Sequence, residues 1–470
     1  MKLVSAEEAQ KNGWDVILVG TSFASFFFAY KLKGKGLKVL FVERGPYVDH
    51  DRQLETRLHR PAGEVAQENS SGQRKDWTVR HQFGGCSNCW WGNTPRLQPS
   101  DFELRSRYGV AQDWPVSYAD IEPYMIEAEY LMDVAGSDEA GYAPRSAPFP
   151  FPPHVPTRAE RRLFKAEPSW QPMPCARSNG GRRPACCVSG TCNLCPIDAK
   201  FTILNSLDLF ADEGFQYLLD AECRVVETAA GRAAGVVVST ADAGPVTLRA
   251  DFVGLGANPI YNSAILLRSG IGSERVGRGI HEQLGQFIWA DIPFDNYYGG
   301  TSLTGMGYGL YDGDFRREAA SVLIESWNAP PSLRLERGKW LQRLKLKLVA
   351  EDLPQASNRV VLKDGEPVVL WTGHSDYAYA GLARGRELLP SLIPFEHEIV
   401  RIGGFEPTEA HIVGGTPMAW DRAGGVVDRK CRVFGTPDLA CLGAGVFTTG
   451  SAANPTLTLA ALSLYAGELL

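Results

Sequence analysis

The sequence predicts an α/β protein in which nucleotide-binding segments near both ends of the chain enclose a second, α+β domain built on an antiparallel sheet. Three observations support this prediction. Residues 14–42 read as strand, glycine turn, helix and strand. An apolar strand followed by glycine and a helix recurs at residues 251–270. Between residues 286 and 400, strand-like and polar stretches alternate, which is typical of an antiparallel sheet.

The composition is that of a globular protein, because 44% of the 470 residues are hydrophobic and 22% are charged. The formal net charge of -6 gives no electrostatic reason to bind nucleic acid. No stretch offers the roughly 18 uninterrupted apolar residues of a membrane span. Residues 1–15 lack the apolar core of a secretion signal. We therefore expect a soluble, cytoplasmic protein.

The first predicted unit begins with the apolar run WDVILV at Trp14–Val19, which suits a buried parallel strand. Phe23–Leu32 reads as a helix and Leu37–Val42 as a second strand. A strand–helix–strand unit of about 30 residues has the size of one half of a dinucleotide-binding fold.

Small residues occupy the turn between this strand and helix. Gly20, Ser22 and Ser25 stand at the positions of a G-x-G-x-x-G fingerprint, where the chain turns tightly and approaches a pyrophosphate. The helix N-terminus adds free N–H groups and positive potential. Glu43 follows about 20 residues later, where an acid accepts hydrogen bonds from ribose hydroxyls. An ordinary strand-end carboxylate is the alternative for Glu43, but the combination predicts a nucleotide site.

Residues 44–80 and 140–200 show little periodicity and read as loops, and a loop as long as the second needs support such as a metal. The other predicted elements are a helix within 113–136 whose first turn carries Ile121, Glu122 and Pro123, strands near Cys223–Glu227, Ala234–Ser239, Phe252–Leu255 and Leu439–Leu442, a helix at Tyr261–Leu267 and a final helix from Pro455.

Half of the ten cysteines lie in one short segment, which suggests a metal site before disulfides in a chain without a signal peptide. The spacing Cys187-x4-Cys192-x2-Cys195 occurs among plant-type [2Fe–2S] ligands, and Cys186 or Cys175 would be the fourth ligand. Zinc is the second reading, because thiolates suit it too. Disulfides are the third, because they need an oxidising compartment.

Three further stretches resemble the glucose–methanol–choline (GMC) flavin oxidoreductases. Residues 411–470 resemble the closing segment of that family, residues 80–96 its flavin-contacting loop, and residues 251–270 its third nucleotide-domain segment. The closing segment is most similar to the pyranose-oxidase-like branch. Residues 186–201 resemble the cysteine loop of bacterial FAD-dependent sugar dehydrogenases, which carry an iron–sulfur cluster.

The resemblance implies a Rossmann-type FAD-binding domain interleaved with a substrate domain on a six-stranded sheet. We expect the FAD-binding domain to comprise residues 1–110, 216–285 and 406–470. Residues 111–215 would form a helical, cysteine-rich insertion with a metal cluster, and residues 286–405 the substrate-binding sheet.

The resemblance also implies a catalytic pair, His411 and Asn454. The chemistry agrees, since a neutral imidazole can take the hydroxyl proton and a carboxamide can donate to the growing alkoxide, while the flavin N5 takes the hydride. A buried structural histidine and a helix cap are the alternative readings of this pair. The cofactor contacts that we predict are Gly20, Ser22, Ser25, Glu43, Gly84, Gly85, Asn93, Gly256, Gly443, Pro455 and Thr456.

Some relatives carry a histidine covalently bound to the flavin where this chain has Cys89. No histidyl bond can form there, and we expect a noncovalent FAD beside a small buried cysteine, although a cysteinyl link is chemically possible.

The predicted function is FAD-dependent oxidation of a CH–OH group of a sugar, glycoside or similar secondary alcohol, with electrons leaving through an iron–sulfur cluster to an acceptor, which could be a protein. One alternative is an oxidase that uses O2 and has a structural zinc or disulfide loop. Another is a non-catalytic, electron-bridging subunit. The substrate stays open, and aromatic residues that could stack on a sugar face are Tyr297, Tyr298, Tyr308, Tyr311 and Trp327.

Overall fold

The computed structural model of the chain describes residues 1–56, 63–139, 141–241, 244–296, 301–328 and 333–470. The strands are β1 (Trp14–Val19), β2 (Val39–Val42), β3 (Gly63–Glu64), β4 (Ala66–Asn69), β5 (Thr78–Val79), β6 (Trp170–Pro172), β7 (Phe215–Leu218), β8 (Ala221–Ala229), β9 (Arg232–Thr240), β10 (Gly244–Leu255), β11 (Leu284–Asp291), β12 (Leu303–Gly307), β13 (Val322–Trp327), β14 (Arg343–Ala350), β15 (Arg359–Lys363), β16 (Glu366–Trp371), β17 (Glu398–Phe405), β18 (Arg432–Val433) and β19 (Thr436–Cys441). The helices are α1 (Ala6–Lys11), α2 (Phe23–Tyr30), α3 (His50–Glu55), α4 (Leu104–Tyr108), α5 (Tyr118–Leu131), α6 (Arg158–Ala166), α7 (Leu207–Phe210), α8 (Pro259–Ser269), α9 (Asp376–Leu388) and α10 (Thr456–Glu468).

The largest sheet has the strand order β18-β19-β10-β1-β2-β7, and β8 and β9 form an antiparallel extension of β10. The strands from β19 to β7 pair in parallel. Val19 at the end of β1 lies opposite both Leu255 and Val42, so three carboxyl ends meet at one edge of the sheet. Helices α2 and α10 pack against each other over this sheet. Because both faces are covered, its central strands are apolar along most of their length.

The second sheet has six strands in the order β17-β11-β14-β13-β12-β6, and all neighbouring strands pair antiparallel. One face packs its aliphatic side chains against α6 and α9 in a separate core. Side chains alternate between the two faces of a strand, so Phe287, Glu325, Trp327, Lys345 and Lys347 share the opposite face.

The predicted fold class, a Rossmann-type domain interleaved with a domain on an antiparallel sheet, is confirmed. A smaller sheet in which β16 pairs with β15 and β4 adds a third core around Trp77 and Trp371. None of the described helices combines the length and the apolar composition needed to span a bilayer.

Helix α5 begins earlier than expected. Ser117 accepts a hydrogen bond from the Asp120 backbone N–H, and the Asp120 carboxylate in turn accepts one from Ser117, which forms a capping box. The helix therefore starts at Tyr118, and Pro123 lies inside it rather than in its first turn.

Helix α9 was not anticipated, because residues 286–400 read as alternating strands and polar stretches. Its two glycines weaken the helical pattern. The structure gives one of them a packing reason, since a Cβ at Gly381 would lie 2.6 Å from the Ala320 Cβ. The expected loops also contain regular elements, namely α3 and β3–β5 in residues 44–80 and α6 and β6 in residues 140–200.

Candidate active site

A cleft of about 140 Å³ opens at the carboxyl edge of the parallel sheet, where β1, β2 and β10 end side by side. β2 and β10 lie on opposite sides of β1, and such a reversal of strand order is where α/β sheets bind nucleotides. Predicted contact residues that line the cleft are Gly20, Ser22, Glu43, Gly85 and Gly256.

Gly20 makes the first turn of the cleft. Its φ is +90°, and a Cβ would lie 2.7 Å from the Gly256 carbonyl oxygen. Gly256 is equally constrained, because a Cβ there would lie 2.3 Å from the Ser25 Oγ. The predicted small residues therefore let the N-terminus of α2 approach β10 closely, with Ser22 as the residue that precedes the helix.

Glu43 is buried and holds the turn together. Its carboxylate accepts hydrogen bonds from the Thr21 hydroxyl at 2.6 Å, the Thr21 backbone N–H at 3.1 Å and the Gly45 backbone N–H at 3.0 Å. Burial raises the pKa of Glu43 to about 7. The Thr21 hydroxyl also accepts from the Gly84 backbone N–H at 3.1 Å. Thr21 thus joins the two predicted glycine loops, a role that no sequence pattern indicated, whereas the ribose contact of Glu43 stays a prediction.

The other predicted cofactor contacts differ in what they contact within the protein. Gly443 has a φ of +80°, and a Cβ there would lie 3.0 Å from the Ala24 Cβ of α2. The Asn93 side chain accepts from Arg177 Nη2 at 3.3 Å, so its oxygen already serves a protein partner. Cys89 is buried, as the sequence predicted, and a noncovalent FAD beside it stays a prediction. Pro455 and Thr456 stand at the start of α10.

The structure brings the predicted catalytic pair together. His411 lies in the loop between β17 and β18, and Asn454 lies directly before Pro455. Although 43 residues separate them, His411 Nε2 and Asn454 Nδ2 are 3.5 Å apart. Asn454 Oδ1 is buried and has no hydrogen-bond partner among the described residues.

Glu282 anchors the loop that carries His411. Its carboxylate accepts hydrogen bonds from the Thr408 hydroxyl at 3.3 Å and from the backbone N–H groups of Glu409 at 3.3 Å and His411 at 3.2 Å. It also forms a buried ion pair with Lys75. Leaving either partner of a buried ion pair alone is costly, so this pair fixes the loop position.

The His411 ring is held at both nitrogens, by Gln283 Oε1 at 2.5 Å from Nδ1 and by Asn454 at Nε2. Desolvation by the surrounding protein, helped by the charge of Lys347, lowers the pKa of His411 to about 3. The imidazole is therefore neutral at pH 7 and can accept a proton.

Two buried carboxylates lie beside the pair. Glu325 accepts from Trp327 Nε1 at 2.9 Å and lies 3.5 Å from Asn454 Nδ2, and burial raises its pKa. Glu409 accepts from Lys347 Nζ at 2.5 Å, and burial raises its pKa to about 7. Glu325 was not anticipated, because its approach to Asn454 joins two segments that are remote in the chain.

The predicted metal ligands are differently placed. Cys175, Cys192 and Cys195 are buried, Cys186 is half-buried and Cys187 is exposed. Cys195 Sγ accepts from the Ala199 backbone N–H at 3.2 Å. In the ranges that the structure describes, no three His, Cys, Asp or Glu side chains are grouped so that they could hold a metal ion. As placed, the thiols therefore do not fit a metal cluster.

Of the aromatic candidates, Trp327 lies at the site, where its ring meets Trp91 at 5.1 Å and Phe287 at 5.3 Å between centroids. Tyr308 and Tyr311 are buried. The Tyr311 hydroxyl donates a hydrogen bond to the Asp101 carboxylate within the protein core. Tyr297 and Tyr298 lie outside the described residues.

The chain is similar to known proteins over nearly its whole length. Residues 398–463, which include both His411 and Asn454, match the GMC oxidoreductase family in its C-terminal domain. The chain is 27% identical to the fructose dehydrogenase large subunit of Gluconobacter japonicus, over 97% of each chain. It is also 27% identical to a 6'''-hydroxyparomomycin C oxidase of Streptomyces lividus, over 96% of this chain and 90% of the relative.

Two solved structures share the fold. Pyridoxine 4-oxidase from Mesorbium loti superposes with a TM-score of 0.69 at 16% identity, over 97% of this chain and 99% of the other. A formate oxidase superposes with a TM-score of 0.70 at 14% identity, over 97% and 98% of the two chains. FAD is the cofactor of GMC enzymes, and the glycine turns, the start of α2 and Glu43 fit a dinucleotide. Residues 398–463 thus match the C-terminal domain of the GMC oxidoreductases, and the chain as a whole is similar to FAD-dependent enzymes of that family that act on CH–OH donors.

Proposed function

We propose that this chain oxidises a CH–OH group of a sugar, glycoside or similar small secondary alcohol to a carbonyl, with His411 and Asn454 as the catalytic pair. The observation that carries the proposal is the 3.5 Å approach of His411 Nε2 to Asn454 Nδ2. The named functions of two relatives, a fructose dehydrogenase large subunit and a 6'''-hydroxyparomomycin C oxidase, support a polyhydroxylated substrate. FAD, when bound, supplies the acceptor for the hydride.

His411 takes the proton of the substrate hydroxyl at Nε2, because the ring is neutral and this nitrogen faces Asn454 rather than a carboxylate. Asn454 Nδ2 donates a hydrogen bond to the same substrate oxygen as negative charge develops on it. The hydrogen on the substrate carbon leaves with its electron pair, so the C–O single bond becomes a carbonyl.

The aromatic face around Trp327 supports a sugar-like substrate. Trp91, Phe287 and Trp327 form edge-to-face contacts at the side of Glu325. Apolar ring faces exclude water from the reacting atoms, and the buried Glu325 carboxylate can accept a hydrogen bond from a neighbouring substrate hydroxyl.

The test is anaerobic reduction of the flavin by fructose, paromamine or gluconate, followed through the flavin absorbance in a stopped-flow instrument. We expect at least one to bleach the flavin. The His411→Ala variant should lower that rate by about 10²–10⁴-fold, whereas the control His397→Ala, in the segment before β17, should not. If no alcohol bleaches the flavin, the chain is better described as a non-catalytic, electron-bridging subunit. If an alcohol bleaches it and His411→Ala keeps the full rate, His411 is not the catalytic base.

We propose a dehydrogenase rather than an oxidase, since a relative over 97% of both chains is a dehydrogenase large subunit. The oxidase alternative is supported by the relative named 6'''-hydroxyparomomycin C oxidase. Admitting air to the substrate-reduced protein separates the two. The flavin of a dehydrogenase should stay reduced for minutes, whereas rapid recovery of its absorbance with formation of hydrogen peroxide would favour the oxidase.

For the electron exit we propose an iron–sulfur cluster in the segment from Cys175 to Cys195, leading to an acceptor that could be a protein. The spacing of the cysteines and the positive charges of Arg177 and Lys200 among them support this. The placement of the thiols does not, so we derive no electron-transfer step. Zinc and disulfides are the competing occupants of the loop.

Iron, zinc and acid-labile sulfide, measured per flavin in anaerobically purified protein, test this proposal. Stoichiometric iron and sulfide that disappear in Cys192→Ser, but persist in the control Cys431→Ser directly before β18, would support the cluster. Zinc, or neither metal, would overturn it.

A further inference from the structure

Gln283 lies directly before β11 and is almost fully buried. Its amide nitrogen donates to the Ser451 carbonyl oxygen at 2.6 Å and to the Ala453 carbonyl oxygen at 2.8 Å. Its amide oxygen lies 2.5 Å from His411 Nδ1. Gln283 therefore bridges the two segments that carry the predicted catalytic pair.

The partners of Gln283 determine the direction of its amide. Backbone carbonyl oxygens only accept hydrogen bonds, so the end that meets Ser451 and Ala453 must be the NH2 group. The end that meets His411 is then the oxygen, which is also only an acceptor. Nδ1 of His411 must carry the hydrogen between them, and in a neutral imidazole Nε2 then has the free lone pair.

We infer that Gln283 is a positioning residue that holds His411 in its Nδ1–H form, so that Nε2 is ready to take the substrate proton. This inference rests on the proposed function, in which His411 is the base. Without Gln283, the ring could rotate or place its hydrogen on Nε2, the nitrogen that faces Asn454.

The neutral amide also suits a base that must stay uncharged. A carboxylate at Nδ1 would stabilise the imidazolium and raise the pKa of the ring. Within the part of the chain that the structure describes, the His411 ring nitrogens contact the side-chain amides of Gln283 and Asn454 and no carboxylate. The charged groups packed around the loop are Lys347 on β14 with its partner Glu409, Glu325 on β13, Glu282 with its partner Lys75, and Asp352 in the cavity beside the ring.

The tautomer can be measured directly. In protein labelled with ¹⁵N-histidine, the His411 signals are those lost in His411→Ala, and we expect Nδ1 to be protonated and Nε2 not. This measurement needs no substrate, so it is independent of the proposed function. A hydrogen on Nε2 in the unsubstituted protein would overturn the inference.

Kinetics give a second test with the panel alcohol that bleaches the flavin fastest. Gln283→Met should lower the reduction rate by about 10–100-fold. Gln283→Glu should move the acidic limb of the pH profile upward by about 1–3 units, because the new carboxylate favours the charged ring. The control is Gln286→Met on β11, the strand that Gln283 precedes. It removes an amide bonded to Gly403 and Arg386 and should change neither quantity.

The two proposals fail in different ways. If His411→Ala loses activity but Gln283→Met keeps the full rate and pH profile, the positioning role of Gln283 is wrong and the catalytic role of His411 stands. If Gln283→Met does not fold, which its thermal unfolding would reveal, the tautomer measured in the unsubstituted protein still decides the inference.

Discussion

The catalytic pair and the cysteine segment differ in how distance along the chain relates to distance in space. His411 and Asn454 are 43 residues apart in sequence and 3.5 Å apart in the fold. The five cysteines from Cys175 to Cys195 are close in sequence, yet among the described residues no three side chains of metal-binding type are grouped for a metal ion. Buried hydrogen bonds and ion pairs to ordered strands, rather than proximity in sequence, bring side chains together here.

The largest effect that would sharpen this comparison is expected at Asn454. Asn454→Ala removes the donor that lies beside His411 Nε2 and should lower the rate of flavin reduction by about 10²–10³-fold. Anaerobic stopped-flow measures the rate. The control Asn69→Ala, on exposed strand β4, should leave it unchanged. If the flavin is reduced as fast in Asn454→Ala as in the unsubstituted protein, the contact between His411 and Asn454 is structural and not catalytic.

In the cysteine segment, Arg177 is the side chain that connects the segment to its neighbours in the fold. Its buried guanidinium donates to the carbonyl oxygens of Trp91 and Leu303 and to the side chains of Asn93 and Ser302. Arg177→Met should lower the free energy of unfolding by about 2–3 kcal/mol, because these acceptors lose their donor. Urea denaturation measures the loss.

The control for Arg177 is a surface arginine, Arg107, which pairs with Glu103 in solvent. Arg107→Met should cost less than about 0.5 kcal/mol. Equal costs for the two variants would mean that the cysteine segment is not anchored through Arg177.

A smaller effect is expected from pH. The native pKa of His411 is lowered to about 3 by desolvation and by Lys347, whereas in the unfolded chain it is near 6.5. The unfolded state therefore binds the proton first, and stability is lost as the pH falls below about 6.5. When the pH falls from 7 to 5, the unsubstituted protein should lose about 1 kcal/mol more unfolding free energy than His411→Gln, which has no titrating ring. This figure is kept small because the His411 ring is partly exposed to solvent. Identical pH dependence would place the ring pKa near its ordinary value.

The smallest effect belongs to Cys187, which is exposed. If the Cys187 thiol holds no cluster and stays exposed as the structure places it, Cys187→Ser should change the unfolding free energy by less than about 0.5 kcal/mol and leave flavin reduction unchanged. A loss of several kcal/mol, measured by the same urea titration, would show that this thiol has a bonded partner in the folded protein.

The sequence predicted the elements whose burial pattern is local. The strand at Trp14–Val19 has the predicted bounds, and the helix after it, predicted to end at Leu32, ends at Tyr30. Continuous apolar runs identify strands that are covered on both faces. Helix α9 was not predicted from the sequence, because Gly381 and Gly385 are needed for close packing against other segments. No local sequence pattern shows such packing.

The residues of the candidate site also divide into those that the sequence predicted and those that it did not. His411 and Asn454 were proposed from a family resemblance, and the glycine turns from a known fingerprint. Thr21, Gln283 and Glu325 could not be proposed, because each acts through hydrogen bonds to distant segments. Such contacts are formed by the tertiary fold and leave no periodic signal in the sequence.

The parallel sheet has a consequence for how the protein is made. Strand β19, which pairs with β10, follows it by roughly 180 residues. A ribosome adds about 5–20 residues per second, so the edge of β10 stays open for about 10–40 s of synthesis. An uncovered strand edge is a template for pairing with other chains. Until β19 is synthesised, this edge of β10 is therefore open to pairing with other chains.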